Sequence, residues 1–284
     1  MSAAELLRIE DLRVSFAGDA GRSEAVRGVG FAMGREKLGI VGESGSGKSL
    51  TARSVLRLLP PGAVMSARTL TFDGTDLMAL SARAMRRVRG QRIGLIPQDP
   101  KFALNPVMTI GRQIAEAVRL IGTSRAVAKE RTLDLLRDVG IEDARRVARA
   151  YPHELSGGMA QRAMIAMMIA PDPALLIADE PTSALDVSVR RQVLDILDGL
   201  IEDRGMGLVF ISHDLGLVGA FCDRVLVMYS GRIVERCEAR ALAHARHPYT
   251  QGLLAARPRL KVPVAVLPVL ERDPAWTDDG EPAP

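Results

Sequence analysis

The chain has 284 residues, 47% hydrophobic and 25% charged, which suits one large or two small soluble domains with a packed core. Its net charge is +4, its pI is near 9.4, and only five of its 38 basic residues are lysines. That positive balance is weak and lacks basic clusters interleaved with aromatics, which argues against nucleic-acid binding. Cys222 and Cys237 lie far apart and outside any C-x-x-C spacing, so neither a disulfide framework nor a cysteine metal site is expected. Charges at Glu5, Arg8, Glu10, Asp11 and Arg13 rule out an apolar signal segment there. No apolar run approaches the ~18 residues of a membrane span. The sequence predicts a soluble protein, or one that rests on a membrane through a partner.

Residues 7–16 alternate apolar and polar near their end and predict an edge strand. A polar turn over 18–23 leads to strand character at 25–26 and 29–33, so the chain opens as a small antiparallel sheet. Phe16 ends the first strand, where an aromatic is either a base-stacking platform or a core residue. Residues 37–41 read as a short buried strand. It runs into Gly42-Glu43-Ser44-Gly45-Ser46-Gly47-Lys48-Ser49, a full match to the phosphate-binding pattern G-x-x-x-x-G-K-[ST]. A helix over 49–59, stopped by Pro60-Pro61, completes the strand, turn and helix that the motif needs. Glycines at 42, 45 and 47 permit positive φ and let successive N–H groups curl around a phosphate. The new helix adds the partial positive charge of its N-terminus. In this pattern Lys48 neutralises the β- and γ-phosphates and the Ser49 hydroxyl ligates Mg²⁺.

Further on, residues 69–72 predict a strand, 73–74 a turn, 81–91 an arginine-rich helix and 92–97 a buried strand ending at Gln98. The carboxyl end of a strand in an α/β sheet is where ligands bind. Residues 99–153 carry three helical stretches with no strand between them. They span 109–121, a Ser124-capped helix to 139 with Gly140 as its stop, and 142–150. This is a helical insertion in an alternating β/α chain. Ser156-Gly157-Gly158 then opens another helix, with Ser156 as N-cap and first-turn N–H groups exposed in the manner of a second anion site. The apolar strand 174–178 ends in Asp179-Glu180. Asp179 there holds Mg²⁺ through water, and Glu180 faces the γ-phosphate and polarises the attacking water. Asp186 precedes a helix over 188–201. A buried strand over 207–212 ends at His213-Asp214, beside the Asp179 strand, which favours a γ-phosphate contact for His213. A hairpin over 224–235, a final helix from 247 and a proline-rich tail over 258–284 close the chain, and the tail is too rich in proline for a stable core.

Together these elements resemble the nucleotide-binding subunit of ABC transporters. The motifs are the Walker A loop 42–49, the Q-loop Gln98, the signature Leu155-Ser156-Gly157-Gly158, Walker B with Glu180, the D-loop 183–186 and the switch His213. The resemblance implies an α/β P-loop NTPase (RecA-like) core over residues 1–257. An N-terminal antiparallel β-subdomain and a helical subdomain inserted at about 99–172 belong to it, and a separate tail covers 258–284. It implies ATP and Mg²⁺ as ligands and catalytic roles for Glu180, His213 and Gln98. The implied nucleotide contacts are Phe16 (stacking on adenine), Gly42, Glu43, Ser44, Gly45, Ser46, Gly47, Lys48, Ser49, Leu50, Ser156, Gly157, Gly158 and Asp186. Ser49, Gln98 and Asp179 are the implied metal ligands.

In this family two cassettes pair head to tail, each ATP lying between one copy's Walker A loop and the other's serine-glycine helix start. The implied partners are therefore a second nucleotide-binding subunit, transmembrane permease subunits and, indirectly, a solute-binding protein, with no nucleic acid. The implied location is peripheral, on the cytoplasmic face of the inner membrane. Residues 98–108, with Phe102, Leu104 and Met108, match the region that receives a permease helix. Asn105-Pro-Val-Met-Thr109, the Gly-Gly-Met159 variant and residues 247–254 look like the dipeptide/oligopeptide and nickel importer branch. Members of that branch often carry a cysteine-rich tail resembling an iron–sulfur site. This tail has no cysteine, so no cluster is expected. The runner-up readings are an importer of nickel or another small solute and a non-transport ABC ATPase of the DNA-repair or translation type. The repair type carries long heptad insertions absent here, and the translation type normally holds two cassettes.

Overall fold

The structure is a computed structural model that describes residues 5–18, 21–183 and 185–256, together with Asp273 and Trp276. The described chain falls into two compact units, one holding Glu5–Met78 and the residues from Phe210 onward, the other Ala79–Val209.

The first unit opens on two long strands, β1 (Leu7–Gly18) and β2 (Gly21–Met33), paired antiparallel. The buried apolar residues of β1 fall at 7, 9, 12 and 14, a spacing that breaks strict alternation. A β-bulge explains it. The register shifts between Ile9 and Leu12, and Asp11 takes a left-handed φ of 48°, which returns Leu12 to the core face. The predicted turn over 18–23 is narrower than expected, because β2 is already paired from Gly21 and runs without a break to Met33. β3 (Lys37–Val41) is the predicted buried strand, followed by α1 (Lys48–Val55). That helix ends earlier than its apolar run. Arg57 turns left-handed at φ 51°, and the N–H groups of Arg57 and Leu58 close on Ser54 O and Arg53 O. Strand β4 (Ala63–Ser66) escaped sequence reading, since every second residue is exposed and it follows two prolines. It pairs with β1 from Arg13 to Phe16, while β5 (Thr69–Phe72) pairs with β1 from Leu7 to Glu10 and with the short β6 (Thr75–Asp76).

The second unit begins with α2 (Ala82–Gln91), capped by Ser81, whose hydroxyl accepts from Ala84 N. Strand β7 (Ile93–Ile96) follows and pairs parallel with β8 (Leu175–Asp179), all of whose residues are buried. The chain between them holds the predicted helices α3 (Ile110–Arg119), α4 (Arg125–Asp138), α5 (Ala144–Arg149) and α6 (Gly157–Ile169). Ser124 caps α4 as predicted, and Gly140 follows its end with a φ of 71°. Helix α7 (Val187–Arg204) ends at the left-handed Gly205, and β9 (Gly207–Ser212) carries the chain back to the first unit.

The remainder of the first unit is α8 (Leu215–Phe221), β10 (Arg224–Tyr229), β11 (Arg232–Glu238) and α9 (Pro248–Ala255). β10 pairs parallel with β3 and antiparallel with β11. Helix α8 was not predicted. Its one strong signal is Asp214, whose carboxylate accepts from the N–H groups of Gly216 and Leu217. Of the tail over 258–284, all but Asp273 and Trp276 lies outside the described residues. Trp276 packs edge-on to Tyr229, with ring centroids 5.8 Å apart, and lies 6.1 Å from Tyr249 and from His247. No helix among the described residues is long and apolar enough to cross a membrane.

Candidate active site

In the first unit the phosphate loop joins β3 to α1. Gly42 has φ 152°, and a Cβ there would stand 2.1 Å from Met228 O. Gly47, the N-cap of α1, has φ 97°, and its Cβ would meet Ala25 O at 2.7 Å. Both glycines are thus required by neighbouring backbone as well as by φ. Gly45, at φ 81°, has open space around it, and Ser44 and Gly45 are exposed at the loop's tip. Lys48 is buried. Its ammonium donates to Gly42 O at 2.8 Å and Glu43 O at 2.7 Å, which holds the cation inside the curl of the loop.

Two contacts invisible in the sequence brace this loop. Gly231, in the β10–β11 turn, donates to Ser46 O at 3.1 Å and accepts from Arg27 N. The Tyr249 hydroxyl accepts from Glu43 N at 3.1 Å across 206 positions of sequence. Tyr249 is fully buried on α9, and its own N–H donates to Nδ1 of the capping His247. The sequence marks 247–254 as a final helix and a family motif; the structure gives Tyr249 a place at the loop itself.

Phe16 lies on β1 two residues short of its end, in register with Ser23 and Ala63, and is half-buried. His213 is exposed immediately past β9, where Ser212 Oγ accepts from Asp214 N and Asp214 caps α8.

In the second unit the end of β8 brings Asp179 to 3% exposure, with Glu180 half-buried after it. Glu180 is left-handed at φ 50°, which costs roughly 1–2 kcal/mol for a residue with a Cβ. The turn is held by Ser183, whose N–H and hydroxyl both donate to Glu180 O. Gln98 sits exposed at the same edge. Ile96 is in register with Ala178, so Gln98 and Glu180 each stand two residues beyond a paired position.

Helix α6 starts as predicted. Ser156 Oγ accepts from Met159 N at 3.3 Å, and Ser156 and Gly157 are exposed. The two glycines differ in their reasons. A Cβ on Gly157 would meet nothing, whereas one on Gly158 would lie 2.6 Å from Val189 Cγ1 of α7. Gln161, 1% exposed, donates to Pro181 O at 2.7 Å and ties this helix to the carboxylate turn. Sequence reading passed over it. Asp186 is the N-cap of α7, accepting from Ser188 Oγ at 2.7 Å and from the N–H groups of Ser188 and Val189. The Ser188 hydroxyl, then the Val189 N–H, hold its carboxyl below the ordinary aspartate value. In the 98–108 segment Phe102 and Val107 are 88% and 79% exposed, but Leu104 is 4% exposed and belongs to the core. Gln113 shapes that segment. Its side chain accepts from Asn105 N and donates to the carbonyls of Asn105 and Met108.

A glycine loop curled round a buried lysine, and a buried strand ending in two carboxylates, mark the P-loop nucleoside triphosphatase class. The ABC transporter family matches residues 29–183. The chain is 51% identical to the probable peptide ABC transporter ATP-binding protein y4tR of Sinorhizobium fredii, over 89% of this chain and 77% of that one. It is 45% identical to the oligopeptide transport ATP-binding protein OppD of Bacillus subtilis, over 90% of this chain and 73% of that one. Among solved structures it is similar to the dimeric bacterial ABC transporter cassette MJ0796, which is also known bound to ADP and Pi. The TM-score is 0.74 and the identity 25%, over 83% of this chain and 99% of that one. The chain belongs to the ABC transporter family, and it is an ATP-binding, ATP-hydrolysing cassette.

Proposed function

We propose that this cassette powers an ABC importer of peptides, as a peripheral subunit on the cytoplasmic side of a membrane, bound to permease subunits and paired with a second cassette. The observation that carries the substrate class is the 45–51% identity to proteins named for peptide and oligopeptide transport. The exposed Phe102 and Val107, on a segment braced by Gln113, supply an apolar surface suited to a permease.

In the proposed mechanism the N–H groups of residues 42–50 wrap the β- and γ-phosphates, Lys48 turns its ammonium from loop carbonyls to the phosphates, and Phe16 stacks on adenine. Ser49, Asp179 and Gln98 offer hydroxyl, carboxylate and amide oxygens, the hard donors that Mg²⁺ takes. When bound, Mg²⁺ neutralises charge on the β- and γ-phosphates. Glu180 polarises the water that attacks the γ-phosphorus in line, and His213 donates to a γ-phosphate oxygen. The bond to the β–γ bridging oxygen breaks, leaving ADP and inorganic phosphate. Ser156, Gly157, Gly158 and Asp186 meet the nucleotide of the opposing cassette, so ATP joins the pair and hydrolysis releases it.

The test is a pair of variants. Glu180→Gln should keep ATP binding, lose turnover and accumulate an ATP-stabilised dimer in gel filtration. Lys48→Ala should lose nucleotide binding by calorimetry. Full turnover in the first would sink the role of Glu180, and undiminished affinity in the second the role of the loop. Peptide-stimulated hydrolysis in vesicles with the cognate permease and solute-binding protein tests the substrate class; stimulation by a metal ion alone would replace it.

A further inference from the structure

Helices α3, α4 and α5 line an open cavity of about 1000 Å³. Six cationic side chains line it: Arg112, Arg119, Arg125, Lys129, Arg145 and Arg149. Glu116 is the one carboxylate in its lining, and it pairs with Arg112 at 3.4 Å. The other five cations make no ion pair or side-chain hydrogen bond among the described residues.

Chain spacing makes this concentration stranger. Arg125 and Lys129 stand four apart on α4, and Arg145 and Arg149 four apart on α5, an arrangement that repels on a helix surface. Elsewhere in the same unit arginines meet acids. Arg204 bridges Asp138 and Asp172, Arg131 also binds Asp172, and Arg137 and Arg146 pair with Asp134 and Asp143. The walls are fixed close together, since a Cβ on Gly111 of α3 would stand 2.7 Å from Ala148 O of α5. Between the cations the lining is small and apolar at Ala115, Ala128 and Ala148, leaving the space itself for a ligand.

We propose that this cavity binds an anion carrying two or more phosphate groups, at a site separate from the phosphate loop. Guanidinium forks take phosphate oxygens two at a time, and five of the six cations here are arginines. One phosphate engages two or three of these groups; six cations around this volume suit several phosphates. The same chemistry comes from two sources, a soluble polyphosphate or the headgroup of a diphosphate lipid such as cardiolipin.

The test uses the full chain carrying Lys48→Ala, so that the phosphate loop does not contribute. Tripolyphosphate is titrated by calorimetry, and vesicles of phosphatidylcholine with or without cardiolipin are co-sedimented. One probe or both should bind. Adding Arg125→Ala, Lys129→Ala and Arg149→Ala should weaken binding at least about tenfold, while the charge-preserving set Arg125→Lys, Lys129→Arg and Arg149→Lys should weaken it by less. With Lys48 intact, the alanine set should leave ATP hydrolysis unchanged. Binding of tripolyphosphate alone assigns a soluble ligand, and binding of cardiolipin vesicles alone a lipid. Failure of both probes, equal binding by the alanine set, or equal loss in the charge-preserving set overturns the proposal. Should Lys48→Ala still bind ATP, the phosphate-loop reading fails while the comparison of the two sets still decides this one.

Discussion

Single residues in this chain earn their places for reasons that spacing alone does not separate. Gly42 and Gly45 both take a positive φ in the phosphate loop, yet of the two only Gly42 is pressed against backbone, at Met228 O. Gly45→Ala should cost about 1 kcal/mol, the penalty of a left-handed φ, and Gly42→Ala roughly 3 kcal/mol in denaturant titration, because a carbonyl must move. Equal losses would mean that the loop relaxes freely around Met228. His247 shows a second such reason. Burial, only partly opposed by Glu235, holds its imidazole below the ordinary value of 6.5, and its Nδ1 accepts from Tyr249 N. The unfolded chain therefore binds this proton first as pH falls, so stability is full above pH ~6.5 and declines below it toward the lowered folded value. The urea midpoint should drop between pH 7.5 and 5.5, and His247→Asn, which keeps a capping acceptor, should flatten that slope. An unchanged slope in the variant would place the titration elsewhere.

At the scale of elements, the strand-loop-helix of Walker A, the capped helices α4 and α6 and the strand ending in Asp179-Glu180 were legible in the sequence. Each is written in contiguous residues: apolar runs, a serine cap, glycines at fixed offsets. What escaped is made by residues far apart or by weak patterns. Strand β4 has a half-exposed face, α8 announces itself only through Asp214, and the bulge at Asp11 shows only as a slipped alternation. The braces Tyr249 to Glu43 and Gln161 to Pro181 left no local signal, and Leu104 reads like its exposed neighbour Phe102 until the core is seen to close on it. The Tyr249 brace can be checked. Tyr249→Phe removes the acceptor for Glu43 N while keeping the ring against Tyr229, so the chain should lose about 1–2 kcal/mol of stability. ATP affinity should fall with it in calorimetry, whereas unchanged affinity would make α9 a bystander to the loop.

At the scale of the molecule, the chain carries two helices that start on glycine-rich turns, at Gly47 and at Ser156, and a carboxylate, Glu180, held in a left-handed turn. In the proposed pairing the exposed Ser156–Gly157 tip meets the nucleotide of a neighbouring cassette. The most direct test is a crystal structure of the Glu180→Gln protein with Mg-ATP. The pairing predicts a γ-phosphate within hydrogen-bond distance, about 2.7–3.2 Å, of Ser156 Oγ and the N–H groups of residues 157–158 from a second copy. A triphosphate bound at residues 42–50 with its γ-phosphate open to solvent, and no second molecule's residues 156–158 near it, would contradict the account.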